Sequence, residues 1–384
     1  MRCFRLFALA LLLQVSFLSA AEFTIGSYNC GGLSDHYDYL RAVATELVMK
    51  ERHMQEPEYM ALNEKIQRVA LKILFSQDAT ERAIAKEEWD RQGYEELFNV
   101  LTKAPNKTGS INSVWATRLD NMLTPYNIRP VVIYDKKMQE KLSEHLTDLC
   151  KKKGLAEQEL LQEARAIMAK RIFAEELPFD IICLQEADYL DASMFPEHYE
   201  ILLSKGDHLK NGLAWNRERF ELVNTIGESL KGAFVALFRD KETEKTVLIA
   251  SGHIKGCNPY YIVENPETGI ADSAAGDQEL QALVEFFEAQ EADIKIIGMD
   301  SNVTAMHPRL HILKNGGYQM DSENYLDPTC TNPYQVLNTR IDWIVLKSNL
   351  PQTSIVNIPV LSVGLNNIRT NMSDHKPIAA KIGY

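Results

Sequence analysis

Six short polar motifs each stand at the end of an apolar run in this 384-residue chain. They are Ser27-Tyr28-Asn29, Leu184-Gln185-Glu186, Ser251-Gly252-His253, Gly298-Met299-Asp300-Ser301-Asn302, Arg340-Ile341-Asp342-Trp343 and Ser373-Asp374-His375-Lys376-Pro377. Carboxylates, amides and imidazoles are the side chains that hold hard cations, move protons and donate hydrogen bonds to anions. Strand ends on a rigid sheet can bring such groups to one pocket and hold them in place. Taken singly, each motif also has a plainer reading. Asp300 and Asn302 read as turn residues after a strand. Glu186 reads as the point where a strand meets solvent, and His253 as a hydrogen-bonded loop residue. Asp374-His375 before a proline reads as a turn, Asp342 as a solvated strand acid, and Asn29 before two glycines as turn chemistry.

The elements that must position these residues follow from the apolar pattern. Strands are predicted over 22–29, 180–185, 212–216, 232–239, 246–251, 294–299, 340–347 and 377–382. Between the first two, the character changes. Residues 39–103 are helical in pattern, with Leu62, Ile66, Val69 and Ile73 forming one apolar face. Residues 105–129 read as irregular, and 136–149 and 157–174 as helical again. A further helix is predicted over 279–288, with Leu280, Leu283, Val284 and Phe287 on one face. Many strands with scattered helices argue for an α+β protein built in layers around one core. Nearly half of the residues are apolar, enough for a sizeable core.

The first residues read as a signal peptide over 1–21: Arg2 and Arg5, then an apolar run from Leu6 to Leu18, then the small residues Ser19-Ala20-Ala21. The run is short for a membrane span, and an uncleaved anchor is the alternative. Export to the periplasm or the medium is therefore expected, with no stable membrane span. Cleavage removes two arginines and no acid, so the net charge falls from −12 to −14. A chain this acidic is not a general nucleic-acid coater. A nuclease with a local basic rim or a bound divalent metal is still compatible with it. After cleavage five cysteines remain, Cys30, Cys150, Cys183, Cys257 and Cys330, with no spacing that reads as a zinc site. Cys183 lies in an apolar strand and reads as a core filler.

In their order along the chain (Asn, Glu, His, Asp-x-Asn, Asp, Asp-His) the six motifs resemble the endonuclease/exonuclease/phosphatase superfamily. The segments IICLQE, GMDSN and SDHKP carry the likeness most specifically, and it covers 22–32 and nearly all of 157–384. The resemblance implies a DNase I-like four-layer α/β sandwich, two mixed β-sheets flanked by helices. It implies a metal-dependent phosphoesterase. Mg²⁺, with Mn²⁺ as an alternative, would be held chiefly by Glu186, with Asn29 orienting that carboxylate and Asp374 as a further ligand or outer acceptor. Asp300 would orient and deprotonate the attacking water. Asn302 and His253 would donate hydrogen bonds to phosphate oxygens. His375, paired with Asp342, would be protonated and would stabilise the transition state by binding phosphate, or would act as a general base; the sequence leaves both roles open.

The chain departs from the superfamily pattern between Asn29 and Glu186, where 38–155 reads as a mostly helical insertion within a catalytic domain spanning 22–384. It is expected to be a lid that selects substrate or a module that binds a partner. Residues 258–276 read as a polar rim loop near the pocket. Pro196-Glu197-His198-Tyr199-Glu200, Asn211 to Asn216 and Asp327 to Asn332 are similar to the nocturnin/Angel-type deadenylase branch. That favours a nucleic acid, RNA or DNA, as substrate. Export instead suits a sphingomyelinase or a phosphoinositide or inositol-phosphate phosphatase. Sequons at Asn106, Asn302 and Asn371 lean toward a bacterial exported protein, since glycans at the last two would block the pocket. A binding protein that keeps the fold without the activity is the alternative of another class, and the full set of catalytic side chains argues against it.

Overall fold

The computed structural model describes residues 21–31, 56–76, 78–94, 147–148, 150–177, 179–205, 209–226, 230–256, 270–305, 307–322, 324–330, 339–363, 372–373 and 375–384. Two six-stranded mixed sheets make its centre. The strands are β1 (Glu22–Asn29), β2 (Ile181–Gln185), β3 (Tyr199–Leu203), β4 (Gly212–Asn216), β5 (Phe220–Ile226), β6 (Ala233–Asp240), β7 (Thr246–His253), β8 (Ile294–Asp300), β9 (Gln319–Met320), β10 (Asp342–Ser348), β11 (Ser354–Ile358) and β12 (Ile378–Gly383). One sheet has the order β11-β12-β1-β2-β4-β3 and the other β5-β6-β7-β8-β10-β9. β1 and β2 run parallel, as do β7 and β8, and the remaining pairs are antiparallel.

Alternation along the strands explains the layers. Ile25, Ile181, Cys183, Ile249, Ile294, Ile296, Ile344 and Ala380 point between the sheets and form one buried cluster with Phe23, Trp215 and Phe238. The opposite face of the first sheet packs Ile182, Leu184 and Ala214 against Ala169 of α3 (Glu157–Arg171) and against Phe173 in the π-turn Ile172–Glu176. The opposite face of the second packs Leu248, Ile297, Met299 and Val345 against Leu280, Leu283, Val284 and Phe287 of α4 (Ile270–Ala289), with Leu313 of α5 (His311–Asn315). These are the four layers expected. The sheets approach closely at Gly298, where a Cβ would lie 2.7 Å from Cys183 Sγ. Cys183 is the core filler expected, and burial pushes its thiol up to about 12.

Within 38–155, the described helices are α1 (Glu56–Phe75) and α2 (Ala79–Gln92). The stretch expected to be helical over 39–103 is two helices where it is described, and 39–55 and 95–103 lie outside the described residues. Asp78 caps α2 by accepting from Thr80 N (2.8 Å), and Gly93, at φ 64, ends it. Ile66, Val69 and Ile73 are buried and Leu62 is half-buried, so the apolar face is where the spacing put it. Residues 105–129 and most of 136–149 lie outside the described residues, as does Cys257. The rim loop expected over 258–276 is corrected in part: α4 begins at Ile270, so 270–276 is helix, and 257–269 lie outside the described residues. β3, β5, β9 and β11 had no counterpart among the predicted strands. Among the described residues, no helix is long and apolar enough to cross a membrane.

Candidate active site

The alternation that buries isoleucines in the body of the sandwich places polar groups at one end of it. β1, β2, β7 and β8 all finish at that end, and the antiparallel β10 and β12 begin there. Asn29 pairs with Gln185, His253 with Asp300, and Asp300 with Asp342, each at the last or first position of its strand. Glu186 follows β2 directly, and His375 lies just ahead of β12. Five of the six motifs are thereby brought together through described side chains. In the sixth, His375 is described, while Asp374 lies outside the described residues.

Asn29 stands at the centre. Its Nδ2 donates to Glu186 Oε1 (3.1 Å) and to Asp300 Oδ2 (2.9 Å), so one amide gathers carboxylates from both sheets. Its Oδ1 accepts from Gly31 N (3.0 Å). Asn29 therefore meets the carboxylates through N–H and orients them, whereas a metal ligand would turn its oxygen toward the cation. Gly31 has φ 67 and sits against Ser373, where a Cβ would lie 3.1 Å from Oγ. His253 Nε2 is 3.5 Å from Glu186 Oε1 and 3.7 Å from Asp300 Oδ2.

Asp300 does two things at once. Oδ1 accepts from Asn302 N (2.8 Å), closing a turn, while Oδ2 faces the site. The motif therefore closes a turn and also presents a carboxylate oxygen to the other site residues. Asn302, at φ 52, turns its Nδ2 to Ile254 O (3.0 Å), which ties the loop after β8 to the loop after β7. Burial pushes the Asp300 carboxyl up to about 6, with Asp342 adding to the shift while His375, His253 and Asn29 oppose it.

His375 Nδ1 lies 2.9 Å from Asp342 Oδ2 and its Nε2 lies 3.7 Å from Asp300 Oδ2. Burial lowers its pKa, but the Asp342 carboxylate, Cys330 and Asp300 together hold it well above the usual imidazole value. The carboxylates on either side thus favour the protonated imidazole. Asp342 is fixed from behind by Thr329, whose hydroxyl donates to Oδ2 (2.5 Å) and accepts from the backbone N–H of Ile341 and Asp342.

Two residues of this end had no role assigned from the sequence. Gln185 is fully buried and points inward from the end of an otherwise apolar strand. Its Nε2 donates to Ser27 Oγ (3.2 Å) and to Ser251 Oγ (3.0 Å), joining the sheets just beneath the site. An amide at an inward position of a buried strand was the available signal, since buried polar groups need partners. Arg309, with no exposed side-chain surface, donates to Ser301 O (2.8 Å), Lys255 O (3.0 Å) and Asp277 Oδ1 (2.7 Å), and so clamps the two loops that carry His253 and Asn302. Nothing in its local sequence signals this.

The donor set fits a hard divalent cation. Glu186 and Asp300 reach toward one amide, and Asp300, Asp342 and His375 bring one ligand atom each within 4.8 Å of one another. All the anionic donors are oxygen. In the buried Asp-Asp-His cluster a proton on His375 would offset one of the two carboxylate charges. Glu186 lies outside that cluster, beside the partly exposed His253, and shares the Asn29 amide with Asp300.

No family model matches the chain, and no curated protein matches it. Solved structures do. The human nocturnin catalytic domain with bound sulfate anion is 17% identical, over 58% of this chain and 86% of that one, at a TM-score of 0.43. An endonuclease/exonuclease/phosphatase from Bacteroides vulgatus is 15% identical, over 57% and 90%, at 0.43. D. rerio TDP2 complexed with single strand DNA product is 16% identical, over 58% and 92%, at 0.41. Scores this low carry no argument about activity, and fold does not fix function in any case. The two-sheet sandwich expected of the superfamily is the fold observed, and the reading of the site rests on its own residues.

Proposed function

We propose that the chain is a divalent-metal-dependent phosphoesterase of the endonuclease/exonuclease/phosphatase superfamily. The observation that carries this is the gathering of Glu186 and Asp300, from different sheets, on the single amide of Asn29, with His253 and the His375–Asp342 pair around them. A cation held by Glu186, with Asp300 nearby and Asp374 as a further candidate, would neutralise charge developing on phosphoryl oxygens.

The residues of the chain supply the rest. Asp300, raised toward neutrality by burial, accepts a proton from the attacking water as the water oxygen bonds to phosphorus. The ester P–O bond opposite breaks, its electron pair leaves with the oxygen, and that oxygen takes its proton from solvent water. Protonated His375 donates toward the charge that builds on the non-bridging oxygens, with its tautomer fixed by Asp342. His253 donates from the open side, and the second N–H of Asn302 is directed by the bond of the first to Ile254 O.

The likeness of 196–200, 211–216 and 327–332 to the deadenylase branch puts a nucleic acid first among substrates, so RNA and plasmid DNA are the polymers to test first, beside bis-p-nitrophenyl phosphate. Hydrolysis that needs Mg²⁺ or Mn²⁺, stops with EDTA and is lost in Glu186→Ala supports the reading. Metal-independent hydrolysis, or full activity in Glu186→Ala, overturns it. The leader over 1–21 would deliver the enzyme outside the cytosol, and an N-terminus at Glu22 in the exported product tests that.

A further inference from the structure

Beside the site lies a groove of about 820 Å³ whose lining includes His253, the residue proposed to donate to the phosphate. Its size is that of a small-ligand pocket, commonly about 300–1,000 Å³. The walls are aliphatic: Leu202 and Leu209 from the β3–β4 hairpin, and Ile226 and Leu230 from the β5–β6 hairpin. Nucleobases are usually held by stacking on aromatic faces, and among the described lining residues Phe234 and the site imidazole of His253 are the two aromatic rings, against Leu202, Leu203, Leu209, Ile226, Leu230 and Val235.

Leu209 is the telling residue. Its side chain is on the surface, with the residue 52% exposed, and its backbone has φ 52, a left-handed conformation that side chains with a Cβ rarely adopt. The fold enforces it. Asp188, two residues beyond Glu186, accepts from Leu209 N (3.0 Å) and Lys210 N (2.9 Å). An apolar side chain held exposed in a disfavoured backbone adds nothing to the core, and such positions cluster at ligand contacts.

The groove is also cationic. Lys205, Lys231 and Lys255 line it, against one acid among the described lining residues, Glu279. Glu279 is engaged by Lys231 Nζ (2.9 Å) and by the backbone N–H of Lys255 (2.8 Å). In a chain of net charge −12 this is a local positive field, placed where an anionic ester would enter.

We propose that this groove binds an aliphatic group carried by the substrate, so that the enzyme acts on amphiphilic phosphodiesters in preference to polynucleotides. The proposal rests on the phosphoesterase reading above. It departs from the nucleic-acid expectation because aliphatic walls beside an anion-attracting rim match a chain attached to a phosphate.

The test is a series of p-nitrophenyl alkyl phosphodiesters with methyl, butyl and octyl chains, run beside a single-stranded oligonucleotide. The expected kcat/KM rises about tenfold or more from methyl to octyl, as burial of methylenes requires. In Leu209→Gln and Leu209→Gly that ratio falls toward one. Leu209→Gly also relaxes the backbone, so a Tm no lower than wild type separates loss of contact from loss of fold. Equal rates for methyl and octyl esters in the wild type would overturn the proposal. So would an octyl preference untouched in both Leu209 variants, or an oligonucleotide cleaved faster than the octyl ester. If no ester is cleaved at all, the phosphoesterase reading fails, and the groove is still tested by calorimetry with octylphosphonate. Binding weakened in both Leu209 variants would support it, and no binding to wild type would refute it.

Discussion

The body of the sandwich and its catalytic end are made by the same strands with the same alternation, and they differ in what points inward. Along β8 the inward positions are Ile294, Ile296, Gly298 and Asp300. Along β7 they are Val247, Ile249, Ser251 and His253. Apolar contact gives way to a polar layer of Gln185, Ser27 and Ser251, and then to the ionised site. The body is arranged for stability. The end carries a carboxyl that burial makes costly to ionise and two left-handed non-glycine residues, Glu186 and Asn302. The contrast teaches that the proposed site is built onto the last rung of a frame whose lower rungs can support the strain.

The largest effect that would sharpen this contrast is in Asp300→Asn. Its kcat should fall about 10³-fold, within the usual range for loss of a general base. Tm of the metal-free protein at neutral pH should rise, because a buried charge has been removed. A lower Tm would break the claim that this end is held against its own stability. In the body the reverse should hold. Ile296→Ala should cost about 2–5 kcal/mol of stability by denaturant unfolding, with kcat per folded molecule unchanged. A large loss of kcat there would show that body and end are not separable.

The two regions meet at Gly298 and Gln185, where intermediate effects are expected. Gly298→Ala should destabilise by about 1–3 kcal/mol through overpacking on Cys183, and the double variant with Cys183→Ala should recover part of it. Additive losses would mean that the sheets do not touch there. Gln185→Leu should lose about 1–2 kcal/mol by leaving Ser27 and Ser251 without a shared partner, with a smaller loss in kcat than Asp300→Asn. A further effect is in pH dependence. Folding raises the Asp300 pKa from 3.8 to about 6, so the folded protein binds more protons than the unfolded one between those values. The stability from this group is full below pH 3.8 and is lost as pH rises through about 6. Metal-free wild type should therefore lose stability over that window relative to Asp300→Asn. Parallel curves would contradict it.

Much of the catalytic end was legible because strand periodicity and residue type coincide there. A polar residue closing an apolar run is visible in Asn29, Glu186, His253, Asp300 and Asp342 whatever the tertiary structure. What escaped has physical reasons. β3, β5 and β11 have half-buried or exposed positions that blur the period-two signal, and β5 carries an irregularity at Leu222/Asn224. The break between α1 and α2 depends on an Asp78 cap that a long helical composition hides. Gln185 was in view within its motif, yet its work lies in contacts to Ser27 and Ser251, far away in sequence. Arg309 and Leu209 act through placement alone, one buried against two loops and the other exposed on a forced turn.

The measurement that tests the account most directly is the initial rate of phosphodiester hydrolysis against Mg²⁺ concentration for wild type, Glu186→Gln and Asp300→Asn, each shown to be folded by its Tm. The account predicts a saturable metal requirement in the wild type. Glu186→Gln should need far more metal, and Asp300→Asn should fail at every concentration. A wild-type rate indifferent to metal, or variants that match it, would contradict the assignment of this end of the sandwich as the active site.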